Sequence, residues 1–462
     1  MRVTGVSFMA PSTAKDNPAL TPELMAACGA RYSRNNEGLE KILSLVDKNN
    51  TDKSVDSIFR MADYGHASIM DMVPVALFID GISMYMAYMI YHYAQMAAGQ
   101  ESSTRYIPMN AGGLMSAEEV GIPAEFAKEW KDLMLEGMER YQQECRRLDV
   151  LAEAEPERVR YPQVDLEKLT PDQKEKELKK RDRMRRNYYL DRARYFLPFT
   201  CRTNMMLIAS ARIWSEVIKL VESLPQPEPK SLASLLRAEY KKYSPRLEKH
   251  AYTEPAAVIN AQKWVDDWTA AITKDGIPIK NNPGKVVVSV NNDLPDFMRP
   301  MRPLSASVDG KRNRYSPAGN DIKRIFVRAA WPNMSVAELR DLNRHRTGTR
   351  VSSMVPNGFY LPPEIQRKPH EGYLKRHADF GERLVKSGPE GAAAWPYAML
   401  LGTQVPFEYA TMGDKFVYML ELRTGLGAHF HYAELMRAAG EELIRLIPDL
   451  KPCIQFGTAA PE

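Results

Sequence analysis

The sequence predicts an α+β protein that is rich in helices, carries antiparallel sheets and consists of two related halves. Three observations lead to this prediction. Strand-like runs alternate with amphipathic helical segments, a Pro-rich segment lies near the middle of the chain, and motifs recur on either side of it. A chain of 462 residues also exceeds one ordinary hydrophobic core, so more than one domain is expected.

The composition is that of an ordinary soluble protein. Hydrophobic residues make up 44% of the chain and charged residues 26%. The net charge of +5 is compatible with phosphorylated ligands or nucleic acid and requires neither. The four cysteines lie far apart and form no Cys-x-x-Cys pair, which argues against a disulfide framework or a zinc finger and favours a cytoplasmic protein.

Two stretches of the first hundred residues bear on targeting and on membrane insertion. The first residues, Met1–Phe8, lack the apolar core of a signal peptide and predict a strand. The stretch from Val73 to Ala98 is interrupted by proline and polar side chains, so it predicts a strand-like run and a buried helix rather than a membrane span. Its Met/Tyr run over 84–89 is expected to pack in the core.

A Pro-rich segment divides the chain into halves of similar length. Prolines at alternate positions in Glu222–Ser231 predict a stiff, extended linker over 223–231. The expected domains are therefore a first half, 1–222, and a second half, 232–462. The pattern Val286–Val290, flanked by turn residues, predicts a strand of the second half.

A charged insertion is expected in the first half, near residues 149–187. Thr170 followed by Pro171 predicts a helix start, and the mixed charges that follow form i, i+4 pairs. The surplus of basic residues predicts a solvated helix face, with a nucleic-acid-binding arm as the alternative.

A basic triplet, residues 344–346 (Arg-His-Arg), follows a predicted helix of the second half. Ser335 and Glu338 predict a capping box, and Val336, Leu339 and Leu342 form an apolar stripe. Two guanidiniums beside an imidazole suit a bound anion or an electron-rich ring. The alternative is a solvated basic helix end.

The two halves show a weak internal repeat. Residues 91–93, Tyr-His-Tyr, align with the basic triplet 344–346, and residues 205–221 align with 407–423. The two alignments differ in offset by about the length of the charged insertion. This agreement supports two copies of one architecture.

The first half carries a series of motifs in a fixed order: an early Ala-Arg-x-Ser ending at Ser33, Gly65-His66-Ala67-Ser68, a strand-like run, a helix, the loop Gln100-Glu-Ser-Ser-Thr-Arg-Tyr106, Asp191-Arg-Ala-Arg-Tyr-Phe-Leu-Pro198 and Arg212. This order, at these separations, resembles the flavin-dependent thymidylate synthases. The resemblance covers most of residues 1–222 and, more faintly, about 320–440.

Each half departs from the family pattern where the other keeps it. The first half has tyrosines at 91 and 93 where the family has arginines, Asp71-Met72 for Glu-His, and Val221 for an arginine. The second half has the full triplet and Arg423 at the position of Val221. It lacks the Ser-x-Arg-Tyr loop and has Pro396 opposite Arg194 and Asp414 opposite Arg212. The two copies are therefore expected to share one divided site.

The resemblance implies an activity, reductive methylation of dUMP to dTMP. It implies FAD as cofactor and methylenetetrahydrofolate and NADPH as co-substrates. Sites of the family lie between subunits of a homotetramer. The resemblance therefore implies that a homodimer of this chain imitates a tetramer, with fewer complete sites than copies. The interrupted apolar stretch and the mixed charges of the insertion predict no membrane or nucleic-acid partner.

The resemblance also assigns residues. The catalytic candidates are Arg344, His345 and Arg346. The candidates for cofactor binding are the same three residues with Ser33, His66, Ser68, Asp71, Glu101 and Arg212. The candidates for substrate binding are Gln100, Ser103, Arg105, Tyr106, Arg194 and Arg423. Arginine suits these roles because it binds phosphate through bidentate, charge-assisted hydrogen bonds, and because a cation stabilises negative charge on a reduced flavin.

Simpler interpretations exist for several of these residues. Glu101 and Arg105 are four apart and could form a local ion pair. His66 could bond the backbone of a turn. No metal is expected at His429 and His431, since residues two apart face opposite sides of a helix.

Two other functions remain open. Tyr91 and Tyr93 could reshape the pocket for another pyrimidine nucleotide in a flavoenzyme of the same fold. The chain could instead be a non-catalytic homologue that binds nucleotide or RNA. Residues 232–285 and 360–395 have no functional assignment.

Overall fold

The computed structural model describes residues 1–6, 21–32, 38–47, 49–60, 67–291 and 319–461. Contacts group the chain into two compact units, each assembled from several stretches. The first unit comprises Met1–Ser102, Met115–Pro123 and Thr200–Val265. The second unit comprises Ser103–Leu114, Ala124–Phe199 and Asp266–Glu462. The second unit therefore contains parts of both predicted sequence halves. The boundaries 1–222 and 232–462 describe the repeat and stay a prediction.

The first unit is built on a four-stranded antiparallel sheet. In spatial order its strands are β1 (Arg2–Val6), β2 (Pro74–Ser83), β4 (Arg202–Ser210) and β3 (Ala98–Glu101). The strands predicted at the start of the chain and after Val73 are confirmed. The pairing of β2 with β4 shifts between Asp80 and Ile82, around Gly81, which has a φ of 73°.

Helices complete the first unit: α1 (Pro22–Tyr32), α2 (Leu39–Ser44), α3 (Thr51–Phe59), α4 (Ser68–Asp71), α5 (Met84–Tyr93), α6 (Ala117–Val120), α9 (Ala211–Glu222) and α10 (Pro227–Tyr243). The Met/Tyr run in α5 is buried, as predicted. No helix in the described part of the chain combines the length and the hydropathy needed to cross a membrane.

The prediction of an extended linker over 223–231 is wrong from Pro227 onward, because Pro227 is the first residue of α10. Proline is well tolerated in the first turn of a helix, where its missing N–H would have no partner within the helix and its fixed φ suits the helix. Alternate prolines therefore mark a helix start here.

The second unit contains a sheet of the same design. In spatial order its strands are β5 (Val287–Asn291), β6 (Phe326–Ser335), β8 (Gln404–Met412) and β7 (Thr349–Val351), all antiparallel. In each sheet the central pair joins the strands that come second and fourth along the chain, β2 with β4 and β6 with β8. In each central pair the register shifts near the end of the earlier strand. The predicted fold, an α+β protein of two related halves with antiparallel sheets, is confirmed, as is the strand near Val286–Val290.

The helices of the second unit are α7 (Ala124–Ala154), α8 (Pro171–Ala193), α12 (Asn320–Lys323), α13 (Val336–Leu342), α14 (Glu371–Lys386), α15 (Pro389–Ala394), α16 (Gly413–Arg423) and α17 (Phe430–Leu446). Helix α11 (Pro255–Asp275) belongs to the first unit up to Val265 and to the second unit from Asp266 onward. Helices α13 and α16 follow β6 and β8 directly, as α5 and α9 follow β2 and β4.

The charged insertion forms α8, which packs against α7. Thr170 caps α8: its hydroxyl accepts a hydrogen bond from the Gln173 N–H, and the Gln173 side chain accepts one from the Thr170 N–H. This capping box satisfies two backbone donors of the first turn. The helix start predicted at Thr170-Pro171 is confirmed.

Candidate active site

Helix α13 carries the residues that lead to the basic triplet. Val336, Leu339 and Leu342 are buried, as their spacing predicts. The predicted capping box is wrong, because the Ser335 hydroxyl bonds to the Glu338 carboxylate and not to a backbone N–H. Glu338 is completely buried, and a buried carboxylate is costly unless it accepts hydrogen bonds. The Ser335 hydroxyl therefore donates to this carboxylate and does not cap the helix.

Glu338 lies at the centre of a buried polar network. Its Oε1 accepts a 2.6 Å hydrogen bond from the Tyr195 hydroxyl. His431 Nδ1 lies 3.4 Å from the same oxygen and Arg194 Nη2 lies 3.7 Å from it. Burial and the charge of Glu338 raise the pKa of Tyr195 well above its usual value, so the phenol stays protonated and remains a donor. The network holds Arg194 in place.

Arg194 follows α8 in a 3-10 turn and is only 1% exposed. Its Nη1 and Nη2 both donate to Asp341 Oδ2 at 3.2 Å. The sequence analysis assigned Arg194 to substrate. In the structure its charge is already compensated inside the protein by Asp341 and Glu338, which a buried guanidinium requires.

Asp341 lies one helical turn before the basic triplet and is surrounded by cations. Burial alone would raise the pKa of its carboxyl, but four arginines lower that pKa to about 2: Arg194, Arg344, Arg105 and Arg423. Arg105 and Arg194 come from the first half of the sequence, whereas Arg344 and Arg423 come from the second. Four arginines assigned by the sequence thus converge on one carboxylate within the second unit.

We expect Asp341 to stabilise the fold at neutral pH and to lose this effect in acid. Its pKa is about 2 in the folded chain, below the value near 4 of an unfolded chain, so its stabilisation is complete above pH 4 and disappears as the pH falls through about 2. An Asp341→Asn variant should lose roughly 2 kcal/mol of unfolding free energy at pH 6 and little near pH 2. Urea unfolding followed by circular dichroism at both pH values tests this, and an equal loss at both would contradict it.

His345, the central residue of the triplet, is a neutral histidine that binds Arg423. Arg423 Nε donates to His345 Nε2 at 2.8 Å, and Arg423 Nη2 donates to the Asp341 backbone carbonyl at 2.7 Å. Burial, with the charges of Arg423, Arg350 and Arg346, lowers the pKa of His345 well below its usual value. A neutral imidazole can accept the hydrogen bond from Arg423, which places its own proton on Nδ1. This arrangement avoids a third positive charge.

The loop of the first half presents Arg105 to the same region. The Arg105 N–H donates to Ser103 Oγ at 3.2 Å, which forms a tight turn. The Arg105 guanidinium forms a bidentate ion pair with Asp191, at 2.8 and 2.9 Å, and not with Glu101. Arg105 and Arg423 both lie over the ring of Tyr432, at 5.9 and 5.4 Å from its centre. Tyr106 also lies beneath Arg105, at 5.8 Å.

Several other assigned residues belong to the first unit. Asp71, at the end of α4 (Ser68–Asp71), forms an exposed 3.1 Å ion pair with Arg212. Gln100 and Glu101 end strand β3, where Glu101 is buried. Ser33 and His66 lie outside the described residues.

The sequence analysis missed the acidic partners of this site. Asp341, Glu338 and Asp191 each hold an arginine in place, and Tyr432 supports two of them. The one available signal was the spacing of Asp341, one turn before the triplet. Among the residues that the structure describes, no group of side chains is arranged to hold a metal ion.

Comparison with known families shows where the first half belongs. Residues 19–246 match the family model described as thymidylate synthase complementing protein. This part of the chain belongs to that family. The match agrees with the motifs that indicated the flavin-dependent thymidylate synthases, and it covers the loop with Arg105, the Arg194 turn and Arg212.

A relative of the whole chain is the UPF0159 protein Ta1429 of Thermoplasma acidophilum. It is 23% identical over 479 residues, which cover 92% of this chain and 94% of that protein. The alignment extends through the second half, so the similarity to this relative is not confined to the part that matches the family model.

Two solved structures share a distant likeness. The flavin-dependent thymidylate synthase ThyX of Helicobacter pylori, in complex with FAD and dUMP, is 15% identical, with a TM-score of 0.31; the match covers 55% of this chain and 100% of that one. The UMP/dUMP methylase PolB of Streptomyces cacaoi, bound with 5-Br dUMP, is 14% identical, with a TM-score of 0.33 over 54% and 93%. The family match and the site geometry, rather than these scores, support a thymidylate synthase-like function.

Proposed function

We propose that this chain is an FAD-dependent thymidylate synthase, which methylates dUMP reductively to dTMP with methylenetetrahydrofolate and NADPH. One observation carries the proposal. Four of the six arginines that the family motifs assign to substrate and flavin, two from each sequence half, lie around Asp341 in one compact unit.

The arginines suit a nucleoside monophosphate. A phosphate dianion is bound best by guanidinium groups, each of which can supply two parallel hydrogen bonds. Arg105 and Arg423 flank the Tyr432 ring, and the Ser103 turn positions Arg105. We assign Arg105, Arg423 and Ser103 to the nucleotide, with Tyr106 and Gln100 as further contacts. Arg194 acts by positioning Asp341.

The triplet suits an anionic cofactor. Arg344 and Arg346 supply cations, and the neutral His345 keeps Arg423 oriented by accepting its hydrogen bond. Such a donor set fits the pyrophosphate of FAD and the negative charge of its reduced ring. When bound, FAD would supply the redox chemistry, while the residues of this chain would hold and orient it. Ser68, Asp71, Glu101 and Arg212 of the first unit, with Ser33 and His66, stay assigned to the cofactor by the family motifs.

The two sheets of equal strand order support an origin by internal duplication. Each half keeps a different part of the site, so one chain carries one complete set of the arginines. We propose that a homodimer of this chain does the work of a homotetramer of the shorter family members.

A second candidate is a flavoenzyme for another pyrimidine nucleotide. The observation that favours it is that tyrosines stand at 91 and 93, where the family has arginines, and both belong to helix α5. Tyrosines at these positions could reshape the pocket for a different pyrimidine. Tritium release from labelled dUMP, compared with release from labelled UMP, separates the two candidates.

Binding of dUMP tests the substrate assignment. We expect Arg105→Ala to weaken dUMP binding by about tenfold or more, because a charged hydrogen bond contributes roughly 1.5–3 kcal/mol. Isothermal titration of the full chain measures this. Arg383→Ala, which removes an exposed arginine paired with Glu129, is the control and should bind dUMP like the native chain.

Equal dUMP affinity in Arg105→Ala and the native chain would remove the substrate-loop assignment. A growth test covers the non-catalytic alternative: rescue of a thymidine-requiring strain is expected for the native chain. Failure of rescue, together with absence of flavin binding, would favour a non-catalytic homologue.

A further inference from the structure

The charged insertion lines a pocket of the second unit. The pocket walls come from the 3-10 turn Pro156–Val159, from α8, from the start of α17 with the residues before it, and from the segment 459–461. The pocket is a small cleft that is open in part to solvent. Arg105 and Asp191, an ion pair of the candidate site, also line it. The insertion therefore forms a wall beside the candidate site.

Positive charge prevails in this pocket, since four arginines and a single carboxylate line it. Three of the arginines have carboxylate partners: Arg105 with Asp191, Arg192 with Glu364 and Arg158 with Glu155. Arg160 has no carboxylate partner among the residues that the structure describes. Its guanidinium donates to two backbone carbonyls, those of Ala459 at 2.6 Å and Thr458 at 3.4 Å. One cation of the pocket is thus left without a compensating charge.

The backbone conformation of Arg160 and its hydrogen bonds fix its side chain at the pocket. Arg160 ends the 3-10 turn with a φ of 57°, in the left-handed region that non-glycine residues adopt at a cost. The hydrogen bonds to segment 458–459 hold its side chain at the pocket. Burial and the neighbouring charge of Arg192 lower the pKa of Arg160, which is the effect expected of a cation that lacks an anion.

Aromatic rings form the apolar part of the pocket wall. Arg192 lies between the rings of Tyr188 and Phe430, at 3.8 and 4.4 Å from their centres. Tyr188 is 6% exposed. Its hydroxyl, like Asn187 Oδ1, is buried without a hydrogen-bond partner in the described part of the chain. Buried polar atoms of a native protein normally have partners, so these two atoms suit a ligand.

We propose that this pocket binds a second ligand group, a flat ring that carries a phosphate or carboxylate, with the anion on Arg160 and a polar edge of the ring at Asn187 and Tyr188. The combination follows the usual design of small-molecule sites, in which apolar walls surround a few placed polar groups. The site extends the proposed function and rests on it only through Arg105, which both sites share. It also gives the insertion a role.

Titration with four small probes tests the proposal. The full chain, saturated with dUMP, is titrated by calorimetry with phenyl phosphate, 4-aminobenzoyl-glutamate, inorganic phosphate and benzamide. We expect one of the two anionic rings to bind at least about tenfold more tightly than the free anion or the uncharged ring, as charged hydrogen bonds and ring burial combine. The ring that binds identifies the anion as phosphate or carboxylate.

Variants locate the binding. Arg160→Gln should weaken binding of the anionic ring by about tenfold. Tyr188→Phe, which preserves the contact of Arg160 with segment 458–459, should weaken this binding by a few-fold. Arg183→Gln removes an equal charge elsewhere on α8 and should have no effect. Absence of binding of both anionic rings, or native affinity in both pocket variants, would overturn the proposal. If dUMP itself does not bind while an anionic ring does, the proposed function fails and the pocket stands.

Discussion

An Arg194→Met variant should lose about 3–5 kcal/mol of unfolding free energy, since removal of one partner leaves buried charges uncompensated. Arg194 is 1% exposed, donates twice to Asp341 and lies 3.7 Å from Glu338. Methionine fills a similar volume but offers no donor, so both carboxylates would lose their main cation. Urea unfolding at pH 7 measures the loss.

Two further variants make this test specific. Arg383→Met, which breaks an exposed ion pair with Glu129, should cost less than about 1 kcal/mol. The double variant Arg194→Met/Glu338→Gln should recover part of the loss, because it removes one of the stranded charges. A loss in Arg194→Met no larger than in Arg383→Met would mean that the buried network does not support the site.

Arg344→Ala is expected to release most of the bound flavin. The arginine belongs to the triplet that we assign to FAD, and it also acts on the pKa of Asp341. Loss of a charged hydrogen bond of about 1.5–3 kcal/mol corresponds to roughly a tenfold to hundredfold weaker affinity. Flavin absorbance after dialysis, divided by protein concentration, measures retention.

The Arg105→Ala variant serves as the matched comparison, since it removes an arginine of the same cluster. It should retain flavin while it loses dUMP affinity. Arg344→Ala should instead lose flavin while it keeps more of its dUMP affinity. Native flavin retention in Arg344→Ala would contradict the assignment of the triplet to the cofactor.

Much of the architecture was predictable because it rests on local patterns. Short, nearly continuous apolar runs marked β2 and β5, and the Thr170-Pro171 pair marked the start of α8. The Pro-rich segment was misinterpreted because prolines occur both at helix starts and in extended linkers, and composition alone does not distinguish the two. Which of the two forms depends on the residues that follow, and those of α10 pack its helix into the first unit.

The acidic half of the site was not predictable in the same way. Asp341 and Asp191 stand among arginines in the sequence, where a carboxylate usually pairs with a neighbour on a solvated helix. Glu338 has the spacing of a capping residue, and that interpretation concealed its buried role. Burial and long-range pairing decide these cases, and neither is visible in local spacing.

The central claim is that two sequence halves contribute to one flavin and nucleotide site. The identity and stoichiometry of cofactor bound to the purified full chain test it most directly. We predict bound FAD, at no more than a single FAD per chain, which Arg344→Ala of the second half releases and which remains in Arg105→Ala of the first half. A colourless chain that takes up no FAD would contradict the claim.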